Sequence, residues 1–375
     1  MIDLPEHIKS LQPYKPGKPI SELMREQGLS RVVKLASNEN PLGPSPKGIE
    51  AAHQCLDRVH RYVDPRSFEL TSALAERFNI KPSQIICGAG TDSLLAYVIA
   101  AFTRVGDEVL TADGTFIGIY VNVHKQNRQL KLVPLKDYSY DLDAILEAIE
   151  STTRVIYLAN PNNPTGTYFS RDAFESFIER VPDRVLVILD EAYYTFGREH
   201  SDYPDGLRYL RPNMIVTRTF SKDYGLAGLR VGFAVGPEEL ISELYKVKLP
   251  FEPSYPAQMA AIAALEDVEF VEKSLIVNRE SLKRMGDKFT ELGIQFVPTG
   301  ANFYLMVLDS EEQASALTSE CMNRGLILRH VQPFGVPNGV RINSGTVEET
   351  EFALKVIEKV YTQLADTSSK TKISD

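Results

Sequence analysis

Apolar residues recur along this chain in two rhythms. Short runs in which most residues are apolar stand at 84–87, 108–111, 154–159, 185–189, 214–217 and 230–235. Their length and β-branched content read as strands buried on both faces. Near 68–79, 92–103, 141–150 and 171–180 apolar residues instead return every three or four positions, the spacing of a helix with one face in a core. This alternation predicts an α/β fold, a largely parallel sheet covered on both sides. A longer helical pattern over 268–292 carries the chain out of that sheet. Beyond it, strands over 302–307, 326–329 and 339–342 mix with helices near 311–324 and 347–363, which predicts a smaller α+β domain.

The expected layout is therefore an arm over 1–45 rich in Pro, Gly and Lys, a large domain over 46–285, a small domain over 286–364, and a polar, disordered tail over 365–375. In open parallel sheets ligands sit beyond the carboxyl ends of the strands. Four predicted strands here run into polar residues at that end. They lead into Gly88-Ala89-Gly90-Thr91-Asp92, into Asn160-Pro161-Asn162-Asn163-Pro164-Thr165-Gly166, onto Asp190, and into Thr219-Phe220-Ser221-Lys222. Four such edges can converge on one site.

Composition narrows the function classes. Forty-one Lys and Arg against 50 Asp and Glu give a net charge of −9, with no long basic run, so a nucleic-acid backbone is not an expected partner. Cys55, Cys87 and Cys321 are too few and too scattered for a disulfide framework or a metal cluster, and no metal is expected. No apolar run approaches the roughly eighteen residues of a membrane span. The first residues lack the apolar core of a secretion signal. A cytoplasmic enzyme working on small molecules is the expectation.

Taken singly, the polar strand ends are weak signals. Gly88-Ala89-Gly90 is not a dinucleotide fingerprint, although a loop opening a helix presents free N–H groups to an anion. The combination is more specific. Asn163-Pro164-Thr165-Gly166, then Asp190-Glu191-Ala192-Tyr193, then Ser221-Lys222 followed by Arg230, resembles the fold-type-I aminotransferases, whose large domain carries a mostly parallel, seven-stranded-type sheet.

That resemblance implies pyridoxal 5′-phosphate as cofactor and gives the motif residues roles. Lys222 would hold the cofactor through its amine and then act as general base. Asp190 would pair with the pyridine nitrogen, and Asn163 and Tyr193 with the phenolic oxygen. Phe116 would stack on the ring. The cofactor phosphate would lie on the backbone of Gly90, Thr91 and Asp92, the hydroxyls of Thr219 and Ser221, and the fork of Arg230. Tyr62 would reach the same phosphate from a neighbouring subunit, which makes the expected unit a homodimer with shared sites.

The arm points to one branch. Tyr14-Lys15-Pro16-Gly17-Lys18-Pro19, Lys34-Leu35-Ala36-Ser37-Asn38-Glu39-Asn40-Pro41-Leu42-Gly43 and Arg341-Ile342-Asn343-Ser344-Gly345-Thr346 look like the histidinol-phosphate aminotransferase family. In that family the arm packs with the small domain and the partner subunit. The resemblance assigns Tyr14, Asn38, Arg329 and Arg341 to the substrates, with the two arginines taking a phosphate from one amino donor and a carboxylate from glutamate or 2-oxoglutarate. An aromatic amino-acid aminotransferase and a decarboxylase of phosphorylated amino acids share the same cofactor residues. Pro250-Phe251-Glu252-Pro253-Ser254-Tyr255-Pro256 departs from the family pattern by adding a carboxylate and an aromatic ring.

Overall fold

In the computed structural model, which describes residues 2–11 and 20–371 and side chains through Ala365, the six apolar runs are strands. The large sheet holds β1 (Ile85–Gly88), β2 (Glu108–Asp113), β3 (Gln129–Pro134), β4 (Thr153–Ala159), β5 (Leu186–Asp190), β6 (Met214–Thr219) and β7 (Gly232–Val235). Its spatial order is β1-β7-β6-β5-β4-β2-β3. All neighbours are parallel except β7, which runs antiparallel to both β1 and β6.

Period-two geometry explains why the central strands are apolar throughout. Val155, Tyr157 and Ala159 of β4 pack into one core with Ile188, Ile215 and the helix Thr91–Phe102. Ile156 and Leu158 point the other way, into a second core with Val187, Leu189 and Val216. Each strand thus serves two cores at once.

Two strands differ from the sequence expectation for local reasons. The run over 230–235 begins its strand only at Gly232, because Arg230 takes left-handed backbone geometry with φ 54. The edge strand β3 escapes an apolar-run criterion, since Gln129 and Lys131 interrupt Leu130, Leu132 and Val133. Charge on an edge strand discourages pairing with another sheet.

The helix Val268–Leu292 matches its predicted span and ends at Gly293, whose φ of 69 suits a left-handed cap. It bridges the two halves of the chain. Leu275 packs beside Tyr193, while Met285 and Phe289 sit in the core of the second half. That half carries an antiparallel sheet of β8 (Gln295–Val297), β9 (Phe303–Val307), β10 (Arg329–His330) and β11 (Gly339–Asn343), in the order β10-β11-β9-β8. The run over 326–329 divides between sheets, for Leu326–Ile327 instead pairs in parallel with Val33–Lys34 of the arm. The closing helix, Val347–Thr371, continues past Leu364, where the polar tail begins. No helix among the described residues is long and apolar enough to cross a membrane.

Candidate active site

A cavity of about 260 Å³ opens at the carboxyl ends of β4, β5 and β6. Asp190, the last residue of β5, forms part of its floor. The chain that leaves β6 turns back through Thr219, Ser221 and Lys222, all of which line the cavity. Strand register explains this convergence. Ala159 lies opposite Asp190 and Asp190 opposite Thr217, so three strand ends share one row of the pleat.

Burial pushes the Asp190 carboxyl above its ordinary pKa, while the hydroxyls of Tyr157 and Thr217 and the Ala192 amide pull it back. Lys222 is moved the other way, down to about 8, first by burial and then by the charges of Arg341 and Arg230, with Glu39 and Asp190 opposing. Its Nζ donates to the Ser37 carbonyl at 3.3 Å. A lysine so placed can shed its proton near neutral pH and serve as a base.

One end of the cavity suits a phosphate. Thr91 and Asp92 open the helix Thr91–Phe102, where backbone N–H groups lack helical acceptors and the dipole favours negative charge. Thr219 Oγ1 donates to Ser221 Oγ at 2.9 Å, which holds the two hydroxyls side by side. Arg230 completes this end of the lining. Gly90 enters differently from the expectation. Its N–H donates to the Gly88 carbonyl at 2.8 Å, so it is not turned to a ligand. Its contribution is room, because a Cβ there would stand 2.4 Å from Arg230 Nη2.

At the middle, Phe116 faces the cavity as the residue preceding the helix Ile117–Lys125. Gly118 makes space for its ring, since a Cβ at that position would lie 2.3 Å from Phe116 Cε1. Tyr193 Oη accepts from Asn38 Nδ2 at 2.7 Å, leaving the phenol its own hydrogen to donate. Burial raises the Tyr193 pKa, against the pull of Arg341. Asn163 Oδ1 accepts from Arg341 Nη1, so its amide nitrogen is the donor it has left.

Beyond the lining, on the Asn163 side, Arg329 and Arg341 are partners in register on β10 and β11, hence on one face of the small sheet. Their guanidinium carbons each lie 5.7 Å from the centre of the Phe334 ring. Arg341 is buried and also donates to the Ala36 carbonyl at 2.7 Å. Asn38, with φ 55, is locked in place by donating its N–H to Asn343 Oδ1 and accepting from Asn302 at its carbonyl.

Asn38, Gly90, Arg329 and Arg341 stand behind or beyond the lining residues, and two further predicted residues remain. Tyr62 lies outside this cavity, 84 % exposed, its ring stacked on Phe251 at 4.4 Å. Tyr14 lies outside the described residues. The departing segment gathers around Tyr62 rather than in the cavity, with Tyr255 beneath Arg58 and Glu252 partly buried, its pKa raised by that burial.

Sequence reasoning missed Tyr157, Thr217, Ser37, Glu39 and Asp223. Tyr157 was hidden inside an apolar run, and only strand pairing reveals that it faces Asp190. Asp223, buried and pushed up to about 6 by that burial, accepts from Thr195 Oγ1 at 2.6 Å and steadies the turn behind Lys222.

The donor set fits the pyridoxal phosphate that the sequence resemblance implies. A helix terminus, two hydroxyls and an arginine could hold a phosphate. A buried carboxylate could pair with a ring nitrogen, an aromatic ring lines the same cavity, and so does a lysine with a lowered pKa.

Comparison with known proteins agrees. The aminotransferase class I and II family matches residues 30–357. The histidinol-phosphate aminotransferase 2 of Hydrogenovibrio crunogenus is 41 % identical over 95 % of each chain. That of Carboxydothermus hydrogenoformans is 40 % identical over 90 % of this chain and 94 % of its own. Among solved structures, the histidinol-phosphate aminotransferase of Sinorhizobium meliloti in complex with pyridoxal-5′-phosphate superposes with a TM-score of 0.89 at 28 % identity, covering 96 % of this chain and 98 % of that one. With its α/β fold, its cavity at the strand ends and these relatives, the chain belongs to the class I and II aminotransferases, of fold type I, and within them to the histidinol-phosphate aminotransferase family.

Proposed function

We propose that this chain transfers the amino group of L-histidinol phosphate to 2-oxoglutarate, giving imidazole acetol phosphate and L-glutamate, with pyridoxal 5′-phosphate as cofactor. The observation that carries the substrate reading is the in-register pair Arg329 and Arg341 flanking Phe334. Two adjacent guanidinium forks suit a phosphate dianion, and one of them suffices for the carboxylate of the second substrate.

When bound, pyridoxal phosphate supplies a carbonyl carbon that takes up the amino group and a ring that withdraws electrons. The chain's own residues do the rest. Thr91, Asp92, Thr219, Ser221 and Arg230 hold the phosphate, and Asp190 keeps a proton on the ring nitrogen. Asn163 and Tyr193 donate toward the phenolic oxygen, and Phe116 covers the ring. Lys222 Nζ would hold the cofactor and, once free, would take the proton from the donor's α-carbon. Arg341, anchored by Asn163 and Ala36, and Arg329 orient the anionic end, with Asn38 closing the wall beside Tyr193.

The working unit we infer is a cytoplasmic homodimer in which the arm packs with the small domain and the partner subunit, so that each subunit completes the other's site. Its support is the exposed patch of Tyr62, Phe251, Leu249 and Val59, an apolar surface of the kind a partner covers. Tyr62, carried on that patch, would reach the partner's phosphate site. Boundaries near 45, 285 and 364 for arm, large domain and small domain belong to the same proposal.

The test is a product assay on the purified chain. Histidinol phosphate and 2-oxoglutarate should yield glutamate and imidazole acetol phosphate in equal amounts. Turnover of aromatic amino acids alone, or release of carbon dioxide from a phosphorylated amino acid, would replace this reading.

A further inference from the structure

Tyr157 plays no part in the assignments above, yet it lines the cavity beside Asp190. It is fully buried in the middle of β4 and shares its face with Ile188 and Ile215, one pleat back from the row that ends in Asp190. Its hydroxyl donates to Asp190 Oδ2 at 2.8 Å. Thr217, opposite Asp190 on β6, donates from Oγ1 to Asp190 Oδ1 at 3.0 Å. Each carboxylate oxygen therefore has a hydroxyl donor from a neighbouring strand, the Ala192 amide adds a third donor, and Tyr157, Thr217 and Asp190 are all buried.

We propose that Tyr157 and Thr217 are positioning residues that fix the Asp190 carboxylate in its ionised form, so that a proton shared with a facing ring nitrogen stays on the nitrogen. This rests on the reading that Asp190 faces the pyridine nitrogen of the cofactor.

The physical reason is competition for one proton. Hydrogen bonds to a carboxylate stabilise its charged form and lower its affinity for a proton. Burial works in the opposite direction at Asp190, and the two hydroxyl donors oppose it. Tyr157 suits the task because burial and the neighbouring Asp190 charge hold its own pKa well above the usual phenol range. Its hydroxyl remains a donor at every working pH. The pair also fixes the plane of the carboxylate from two strands, which a single donor would leave free to turn.

A buried tyrosine must give its hydroxyl to some acceptor, so a hydrogen bond alone does not separate a tuning role from simple satisfaction. The separating measurement is the ¹⁵N resonance of holoenzyme loaded with ring-¹⁵N pyridoxal phosphate, which reports directly on the proton at the nitrogen. Tyr157→Phe and Thr217→Val should each move the resonance toward that of neutral pyridine. The displacement should correspond to a fall of about tenfold in the ratio of protonated to neutral ring, the worth of one hydrogen bond to a charged group. Thr217→Ser, which keeps the hydroxyl, should leave the resonance in place. Asp190→Asn serves as the reference and should move it furthest.

An unmoved resonance in Tyr157→Phe, with Asp190→Asn displaced, overturns the inference while leaving the site reading intact. An unmoved resonance in Asp190→Asn overturns the site reading itself. If Tyr157→Phe does not fold, Thr217→Val carries the test, and an unmoved resonance there is equally contrary.

Discussion

Lys222 enters the folded chain at a disadvantage that can be measured without substrate. Its amine would titrate near 10.4 in an unfolded chain and is lowered to about 8 in the fold. Between those values the unfolded state binds more protons, so this group makes stability rise with pH from 8 toward 10.4 and weighs most heavily below 8. Lys222→Met, which keeps the stem and removes the charge, should therefore stabilise the cofactor-free protein at pH 7 by up to about 3 kcal/mol. Urea unfolding at pH 7 and pH 10 checks this, and the variant's advantage should shrink at the higher pH. With cofactor present, Lys222→Ala should retain the ligand through its phosphate, resist borohydride fixation and lose nearly all turnover. Fixation to another lysine would refute the assignment. Lys222, Asp190 and Arg341 were legible at this scale because their motifs are local in sequence. Tyr157 and Thr217 were not, because a hydroxyl inside an apolar strand acquires meaning only when pairing puts it against Asp190.

The elements are held to the site by contacts of very different worth. Arg218, next to Thr219 on β6, is buried against Glu191 at 2.7 Å and Asp205 at 2.6 Å, with its guanidinium 3.5 Å from the centre of the Tyr194 ring. This knot ties the ends of β5 and β6 together one residue from Asp190 and Thr219. Arg218→Ala would leave the Glu191 carboxylate buried without its charge partner, at a cost of about 3–5 kcal/mol. The exposed pair Lys283–Asp287 should cost no more than about 0.5 kcal/mol when broken. Chemical denaturation of the two variants compares them directly. The arm docks with similar closeness. Gly225, with φ 66, brings the turn after Lys222 so near the arm that a Cβ would lie 2.0 Å from the Gly43 carbonyl. Gly225→Ala should push the arm off that turn and weaken cofactor binding by at least about tenfold in an equilibrium titration, the worth of one tight contact. The strands buried on both faces, the helices near 68–79, 92–103, 141–150 and 171–180 and the bridging helix were readable from periodicity, whereas the core helices Ile117–Lys125, Glu238–Val247 and Tyr255–Leu265 were not. Val33–Lys34 and the division of 326–329 between sheets were not, since both depend on partners remote in sequence.

At the scale of the whole molecule, the arm, the large sheet and the small sheet meet at one place. Ala36, Ser37 and Asn38 touch Arg341, Lys222 and Tyr193 in turn, so the buried guanidinium, the amine and the phenol are referred to a single strip of chain. The proposed dimer would extend this design through the exposed Tyr62 patch to a second copy. Mixing Lys222→Ala subunits with Tyr62→Ala subunits, each inactive alone, should recover about a quarter of normal activity, since random pairing leaves one intact site in half of the dimers. Mixed dimers without activity would deny Tyr62 a role across the interface. Motif order conveyed the fold and the cofactor end at this scale. The substrate end was less legible, because Arg329 and Arg341 become neighbours only through the antiparallel register of β10 and β11. The most direct test of the account is therefore a single-turnover measurement of the two half-reactions on Arg329→Ala. Removing one fork should slow the half-reaction with histidinol phosphate by about 10- to 100-fold, as expected for a charge-assisted bond worth about 1.5–3 kcal/mol, while the glutamate half-reaction, served by Arg341, suffers much less. Equal losses in both half-reactions, or an unmutated protein that does not react with histidinol phosphate at all, would contradict it.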